Sequence, residues 1–270
     1  MGVNVNDIKL GVVGCGKMAS AILGGVANHK FMPRENIFVY DINMEASGAL
    51  CKEYGFKEAY SIREMLLNVD VVLLAVKPFI ISDVLAEIKE YYSNQLVVSI
   101  LAGVKIKKIT SALKGAKVVR VMPNTPALVN EGASAICALD DVSNDELDFV
   151  FNFMSNCGKV IKTTEDKIDV ITALSGSGPA FYFKLIQAMA NSASKLGLDK
   201  HEALLLSAQT ALGSAKMIFE NDFNIEQLIK NVTTPGGCTE VGNNVLSSSN
   251  IEEIFDELIQ KTMQKAIDLG

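Results

Sequence analysis

From residue 8 to about residue 161, short apolar runs alternate with longer stretches whose apolar positions recur at helical spacing. The runs are IKLGVV (8–13), NIFVY (36–40), VDVVLLAV (69–76), QLVVSI (95–100), KVVRVM (117–122), ASAICAL (133–139) and KVI (159–161). Between most of them lie helix-period segments at 18–28, 44–54, 80–91 and 144–156. Strands that are apolar on both faces and alternate with helices predict a mostly parallel sheet covered by helices on both sides. The order of elements suits a Rossmann-type, doubly wound α/β fold that binds a dinucleotide.

After Lys162 the strand pattern stops. Residues 166–174, 179–196, 199–219, 224–231 and 250–268 all read as helices. The polar stretch Thr163 to Asp166 marks a domain boundary, with one domain at 1–163 and an all-α domain at 164–270. Segments such as PAFYFKLIQAMANSASKLG have more apolar positions than one thin layer of helices can bury. Such helices are expected to pack against a second copy of the chain as a homodimer; a self-contained five-helix bundle is the alternative.

The net charge of −6 argues against a nucleic-acid partner, which needs a basic stripe to meet phosphates. The densest basic cluster, Lys105, Lys107 and Lys108, reads as the solvated face of a short helix. The five cysteines have no CxxC spacing, and the two histidines, His29 and His201, have no second ligand at metal spacing, so no metal site is expected. Scattered thiols fit a reducing compartment. MGVNVNDIKL lacks a basic region followed by an apolar core, and VVLLAV is far too short to span a bilayer. A cytoplasmic protein without a membrane partner is the expectation.

The first strand runs into GVVGCGKMASAILGG, which holds the triplet Gly14-x-Gly16-x-x-Ala19. Gly14 permits a tight turn, Gly16 lets a pyrophosphate approach the backbone, and Ala19 keeps helix and sheet close. The pyrophosphate would lie over Cys15 and the free N–H groups of Lys17, Met18 and Ala19 at the helix start. Asp41, at the end of the second strand, stands about 20 residues beyond this fingerprint, where an acidic side chain bonds the adenosine ribose 2′-OH. No Lys or Arg occurs between Asp41 and Lys52 to receive a 2′-phosphate, which leans towards NADH over NADPH. Asp41 could instead cap the helix at 44–54, and Lys17 or Arg34 could stand near enough to bind a phosphate.

Several further loops are distinctive: AVKPF (75–79), ILAGV (100–104), RVMPNTPALVNEG (120–132), ALSGSGPAF (173–181) and VTTPGGCT (232–239). Together, in this order and over essentially the whole chain, they resemble pyrroline-5-carboxylate reductase. The resemblance implies a Rossmann domain, a helical domain that interlocks with a partner subunit in dimers or larger oligomers, and hydride transfer from NADPH or NADH to the C=N carbon of a cyclic imino acid to give L-proline. It further implies cofactor contacts at Ala75, Val76, Lys77, Pro78, Ala102, Asn124 and Asn231. Substrate contacts are implied at Glu165, Ser177, Gly236, Gly237, Cys238 and Thr239, with the Thr239 hydroxyl at the ring nitrogen as the catalytic contact. A cyclic imine can take its proton from water, so a dedicated histidine acid is not required, whereas a carbonyl-reducing dehydrogenase usually needs one.

The chain departs from that family's usual TSPGGTT and following apolar stretch at Cys238, Glu240, Asn243 and Asn244, and has Ile62 where an asparagine is common. Two other readings compete. A β-hydroxyacid dehydrogenase would use a lysine near Lys184 with a polar partner one turn on, but residue 188 is alanine. A nucleotide-sensing relative would keep the fold without turnover.

Overall fold

A computed structural model describes residues 4–269. Its strands are β1 (Leu10–Val13), β2 (Ile37–Tyr40), β3 (Lys57–Glu58), β4 (Val71–Leu74), β5 (Leu96–Ser99), β6 (Val118–Met122), β7 (Gly132–Ala138) and β8 (Gly158–Lys162). They form one sheet in the order β3-β2-β1-β4-β5-β6-β7-β8. Every pairing is parallel except β6 with β7. The exception has a simple cause: the connection 123–131 is too short for the crossover helix that a parallel return needs.

Strands β1, β4, β5 and β6 are buried along their whole length, which is why they read as uninterrupted aliphatic runs. Helices α1 (Lys17–Asn28), α2 (Met44–Tyr54) and α6 (Asn144–Ser155) pack on one face around Leu10, Val12, Ile22, Val39, Leu50 and Phe153. On the other face, α3 (Ile62–Leu66), α4 (Ile81–Tyr91), α5 (Ile106–Ala112) and α7 (Ile168–Ile171) cover Val13, Val72, Leu74 and Val97. Helix starts follow local capping chemistry. Ser61 accepts from Glu64 N–H, and Ser143 forms a reciprocal capping box with Glu146. Strand β3 and helix α3 did not show in the apolar pattern, because β3 is two polar residues long and α3 little more than one turn.

The chain divides into two compact units. One runs to Ser177 and takes in the chain from Lys261 onward; the other is Gly178–Gln260. The first unit thus extends beyond the break expected after Thr163. Ile168 is fully buried among residues of the sheet's second face, and Glu165 is bonded to Ile106 and Arg120. Residues 166–174, expected as plain helix, fall in a 3-10 turn at Glu165–Lys167, then α7, then a π-helical turn at Thr172–Gly176.

Helices α8 (Gly178–Lys195), α9 (Lys200–Glu220), α10 (Ile225–Val232) and α11 (Cys238–Ser247), with the first part of α12 (Ile251–Asp268), make up the second unit. Among its described residues the only buried hydrophobic side chains are Ala190 and Ala203. Tyr182, Phe183, Met189, Leu204, Leu205 and Phe219 are all at least half exposed. A self-contained bundle would need a core of its own, and this unit has none.

Candidate active site

The parallel strands β1, β2, β4, β5 and β6 deliver their carboxyl ends to one edge of the sheet. Backbone bonds continue the ladders past the strand ends: Gly14 N–H donates to Tyr40 O at 2.8 Å, Ala75 N–H to Val13 O at 2.9 Å, and Ile100 N–H to Leu74 O at 3.1 Å. The chain parts here, since β1 has β2 on one side and β4 on the other. In open α/β sheets such a switch point is where ligands bind.

At that point the glycine loop is built for close approach. Gly14 has φ +100°, and a Cβ placed on it would lie 2.8 Å from both the carbonyl carbon and oxygen of Ala75. A Cβ on Gly16 would meet nothing within 4 Å. Gly16 is the N-cap of α1 and supplies no side-chain cap, and the first turn carries no acidic residue. The N–H groups of Lys17, Met18 and Ala19 therefore lack intrahelical acceptors, and they face a side on which Gly16 leaves room. Uncapped donors, open space and the carboxylate of Asp41 beside them fit a dinucleotide.

Cys15 sits inside this loop with its thiol buried. Burial, reinforced by the charge of Asp41, pushes its pKa up to about 12, so the thiol stays protonated and unreactive at neutral pH. Asp41 accepts from Cys15 N–H at 2.7 Å through Oδ2 and from Asn43 N–H at 2.9 Å through Oδ1. The cap of α2 is Asn43, which accepts from Glu45 N–H. Arg34 lies in a turn before β2, at the strand's amino end, and so at the far edge of the sheet from Asp41.

After β4, Ala75 and Val76 lie against Gly14, while Lys77 is exposed and leads into a 3-10 turn beginning at Pro78. Ala102, after β5, is exposed. Asn124 is different: it is buried, its Nδ2 donates to Ser175 O at 3.0 Å, and its Oδ1 accepts from Ala133 N–H at 2.8 Å. Both ends of its amide are committed to protein. It holds the π-helical turn that precedes Ser177, a turn closed by Ser177 N–H donating to Thr172 O at 2.9 Å. Such turns recur at functional sites. Gly176 packs against the end of the Met122 side chain, which a Cβ there would have to displace.

Glu165 is also committed. Its Oε1 accepts from Ile106 N–H at 2.7 Å, acting as a tertiary cap for the start of α5, and from Arg120 at 3.1 Å. The Arg120 side chain is only 2% exposed, and its second carboxylate neighbour, Asp169, is 3.9 Å away. Sequence reasoning had no signal for this cluster, because an arginine inside the aliphatic strand β6 looks like an isolated charge until the fold supplies its partners.

In the second unit, Thr234 to Gly237 form a β-turn with Pro235 and Gly236 at its centre, closed by Gly237 N–H donating to Thr234 O at 2.9 Å. Gly236 has φ +74°, as the third position of a type II turn requires. A Cβ on Gly237 would press on the Thr234 side chain and lie 3.0 Å from its carbonyl oxygen, so any other residue there must push the Thr234 hydroxyl aside. Gly237 is the N-cap of α11 without a side-chain cap, and Cys238 and Thr239 open the helix with exposed side chains. The polar residues that follow fasten the turn. Glu240 Oε2 accepts from Gly236 N–H at 2.8 Å, and Asn243 Nδ2 donates to Thr233 Oγ1 at 2.9 Å. Asn231, near the end of α10, accepts from Gln227 at 2.7 Å. Lys184 is exposed on α8, and Ala188 one turn on offers no polar partner.

His29 Nδ1 stands 2.9 Å from Gly25 O at the distal end of α1. Among the described residues no group of three or more His, Cys, Asp or Glu side chains could hold a metal ion, and no helix is long and apolar enough to cross a membrane.

Comparison with known proteins agrees with both halves. Residues 165–269 match the family model described as pyrroline-5-carboxylate reductase dimerisation, and residues 9–103 match NADP oxidoreductase, coenzyme F420-dependent. A pyrroline-5-carboxylate reductase of Methanosarcina acetivorans is 36% identical over 97% of this chain and 98% of its own. A pyrroline-5-carboxylate reductase structure from Coxiella burnetii superposes with a TM-score of 0.94 at 35% identity, covering 99% of each chain. The Plasmodium falciparum pyrroline carboxylate reductase, solved with NADP bound, gives 0.87 at 32% identity, covering 99% of this chain and 100% of that one. Two fold units each matched in order, and relatives aligned from end to end, leave one assignment: the chain belongs to the pyrroline-5-carboxylate reductase family.

Proposed function

We propose that this chain reduces the C=N bond of 1-pyrroline-5-carboxylate to give L-proline, with NADPH or NADH as reductant. The observation that carries the proposal is the TTPGGCT turn. Gly236 supplies the positive φ that the turn needs, Gly237 fits closely against Thr234, and the turn delivers an uncapped helix start with Thr239 in the first turn. In this reading, the uncapped N–H groups of Cys238 and Thr239 hold the carboxylate of the imino acid, those of Gly236 and Gly237 being spent within the turn on Glu240 and Thr234, and the Thr239 hydroxyl bonds the ring nitrogen. The helix dipole adds to the hold on the anion.

The nucleotide would be held by the loop Gly14–Ala19, by Asp41, and by the exits of β4 and β5 at Ala75–Pro78 and Ala102. When bound, the reduced nicotinamide supplies the hydride. The chain's own part is orientation and charge: it fixes the imino acid by its carboxylate and accommodates an iminium that becomes neutral on reduction. Asn124 serves this reading through the segments it holds, since both ends of its amide are bonded to protein groups, and Glu165 does so through Oε1, which Ile106 and Arg120 share.

Assembly as a homodimer is part of the same proposal. The unit Gly178–Gln260 leaves Tyr182, Phe183, Leu204 and Leu205 exposed, and the matching family region is a dimerisation region. A second copy supplies the surface these side chains need. Sedimentation of the purified chain at micromolar concentration should give a dimer or a multiple of one.

The direct test is oxidation of reduced nucleotide on addition of pyrroline-5-carboxylate. Nucleotide binding without turnover would favour the sensor reading. Thr239→Ala should lower kcat/KM for the imine by roughly 10- to 100-fold, the equivalent of one substrate hydrogen bond lost in the transition state. Nucleotide affinity should stay within about twofold. Loss of both in equal measure would remove Thr239 from the substrate site.

A further inference from the structure

We propose that this chain takes NADH in preference to NADPH and that Asp41 sets the preference. The inference rests on the reading that the first unit holds a dinucleotide at its glycine loop, and it adds which one.

Asp41 follows β2 directly, at the place where a Rossmann fold meets the adenosine ribose. Its carboxylate is pinned from two sides, by Cys15 N–H at 2.7 Å and by Asn43 N–H at 2.9 Å. A free surface carboxylate could rotate away from an incoming phosphate. This one is fixed by the same loop that would seat the pyrophosphate, so its charge stays where the ribose arrives. Each carboxylate oxygen has two acceptor sites and has used one, leaving room to accept from a 2′-hydroxyl.

A 2′-phosphate would bring a charge of about −1.5 to −2 against that fixed negative group. The neighbourhood offers it little relief. Ile42 is apolar and 90% exposed, Asn43 is spent on capping α2, and Glu45 is acidic. Glu58 adds a second carboxylate at this corner, bonded to Ser47 on α2 at 2.6 Å. Both Asp41 and Glu58 act on the buried Cys15 thiol, raising its pKa after burial itself, which marks the corner as electronegative.

The basic residues lie elsewhere. Lys52 is in the last turn of α2, about 12 Å along the helix from Met44. Arg34 is separated from Asp41 by the whole of β2, roughly 13 Å. Lys57 stands over the Phe38 ring. Lys17 opens α1, on the pyrophosphate's side of the glycine loop. A relative in the family has been solved with NADP bound, so the family fold admits the phosphate, and the exclusion here is local to this corner.

The test measures the affinity of the unmodified chain for NADH and NADPH separately, by nucleotide fluorescence, and then kcat/KM for each with pyrroline-5-carboxylate. NADH should be favoured at least tenfold. The ratio should narrow as sodium chloride is raised, because salt screens the repulsion of the phosphate. Asp41→Asn keeps one of the two acceptor oxygens and gives up the other backbone bond. In a variant shown to be folded by a cooperative thermal transition, it should narrow the ratio at least fivefold, chiefly through NADPH binding that weakens less than NADH binding or tightens. Equal or better use of NADPH by the unmodified chain overturns the proposal. An unchanged ratio in a folded Asp41→Asn removes Asp41 as its cause. Failure to bind either nucleotide sinks the dinucleotide reading together with the preference. Binding with the predicted ratio but no turnover would sink the reductase assignment and leave the preference standing.

Discussion

Glu165→Ala should destabilise the chain by about 3–5 kcal/mol, lowering its melting temperature by roughly 10 °C. The reason lies in what the substitution leaves behind. Arg120 is 2% exposed, and without Glu165 its nearest carboxylate is Asp169 at 3.9 Å, beyond hydrogen-bond reach. Ile106 N–H, one of the unpaired donors at the start of α5, also loses its acceptor at 2.7 Å. A buried charge stripped of its partner costs far more than the pair contributed. Replacing both partners, Arg120→Met with Glu165→Leu, should recover much of the loss, and a double-mutant cycle would report the coupling. Thermal unfolding followed by circular dichroism gives the answer. A melting temperature within about 2 °C of the parent, together with a collapse of kcat, would instead mean that Glu165 is free to act on the ligand.

That result also bears on how far the site could be read from the chain alone. The glycine triplet and the PGG turn were legible because their chemistry is local. Gly14 and Gly236 adopt positive φ, and Gly16 and Gly237 cap helices with no side-chain help. Nothing distant has to be known for such residues to stand out. The aliphatic strands were legible for the same reason, since burial on both faces leaves a continuous apolar run.

Asn124 and Glu165 entered as ligand contacts only through the family resemblance, which carries positions but not what each side chain is bonded to. Their commitments, to Ser175 and Ala133 and to Ile106 and Arg120, run across 9 to 59 residues of sequence. No spacing rule reaches that far. Glu240 and Asn243 show the converse. Read as oddities after the PGG turn, they prove to fasten it from within ten residues, through Gly236 and Thr233. The expectation of a homodimer rested only on a surplus of apolar positions, and the structure gives that surplus a place: a helical unit whose only buried hydrophobic side chains, among the described residues, are two alanines.

The two glycines of the cofactor loop should separate on substitution, because one serves the fold and the other the ligand. Gly14→Ala puts a Cβ 2.8 Å from the Ala75 backbone at φ +100°. Neither the backbone of β4's exit nor the turn can yield without disturbing the ladder bonds to Tyr40 and Val13. Left-handed backbone costs an alanine about 1–2 kcal/mol, and the contact adds an overpacking penalty of about 1–3 kcal/mol. A total near 3 kcal/mol is expected, with nucleotide binding lost as the loop distorts. Gly16→Ala presents the opposite case. Its φ of −72° suits any residue, and its Cβ would meet no protein atom within 4 Å. Stability should change by no more than about 0.5 kcal/mol. The new methyl nonetheless occupies the approach to the uncapped start of α1, where the pyrophosphate must come close to the backbone. Titration of the variant with NADH should show an affinity at least tenfold weaker, at an unaltered melting temperature. If the affinity instead matches the parent's, the pyrophosphate does not lie over Gly16, and the helix start serves only to begin the fold.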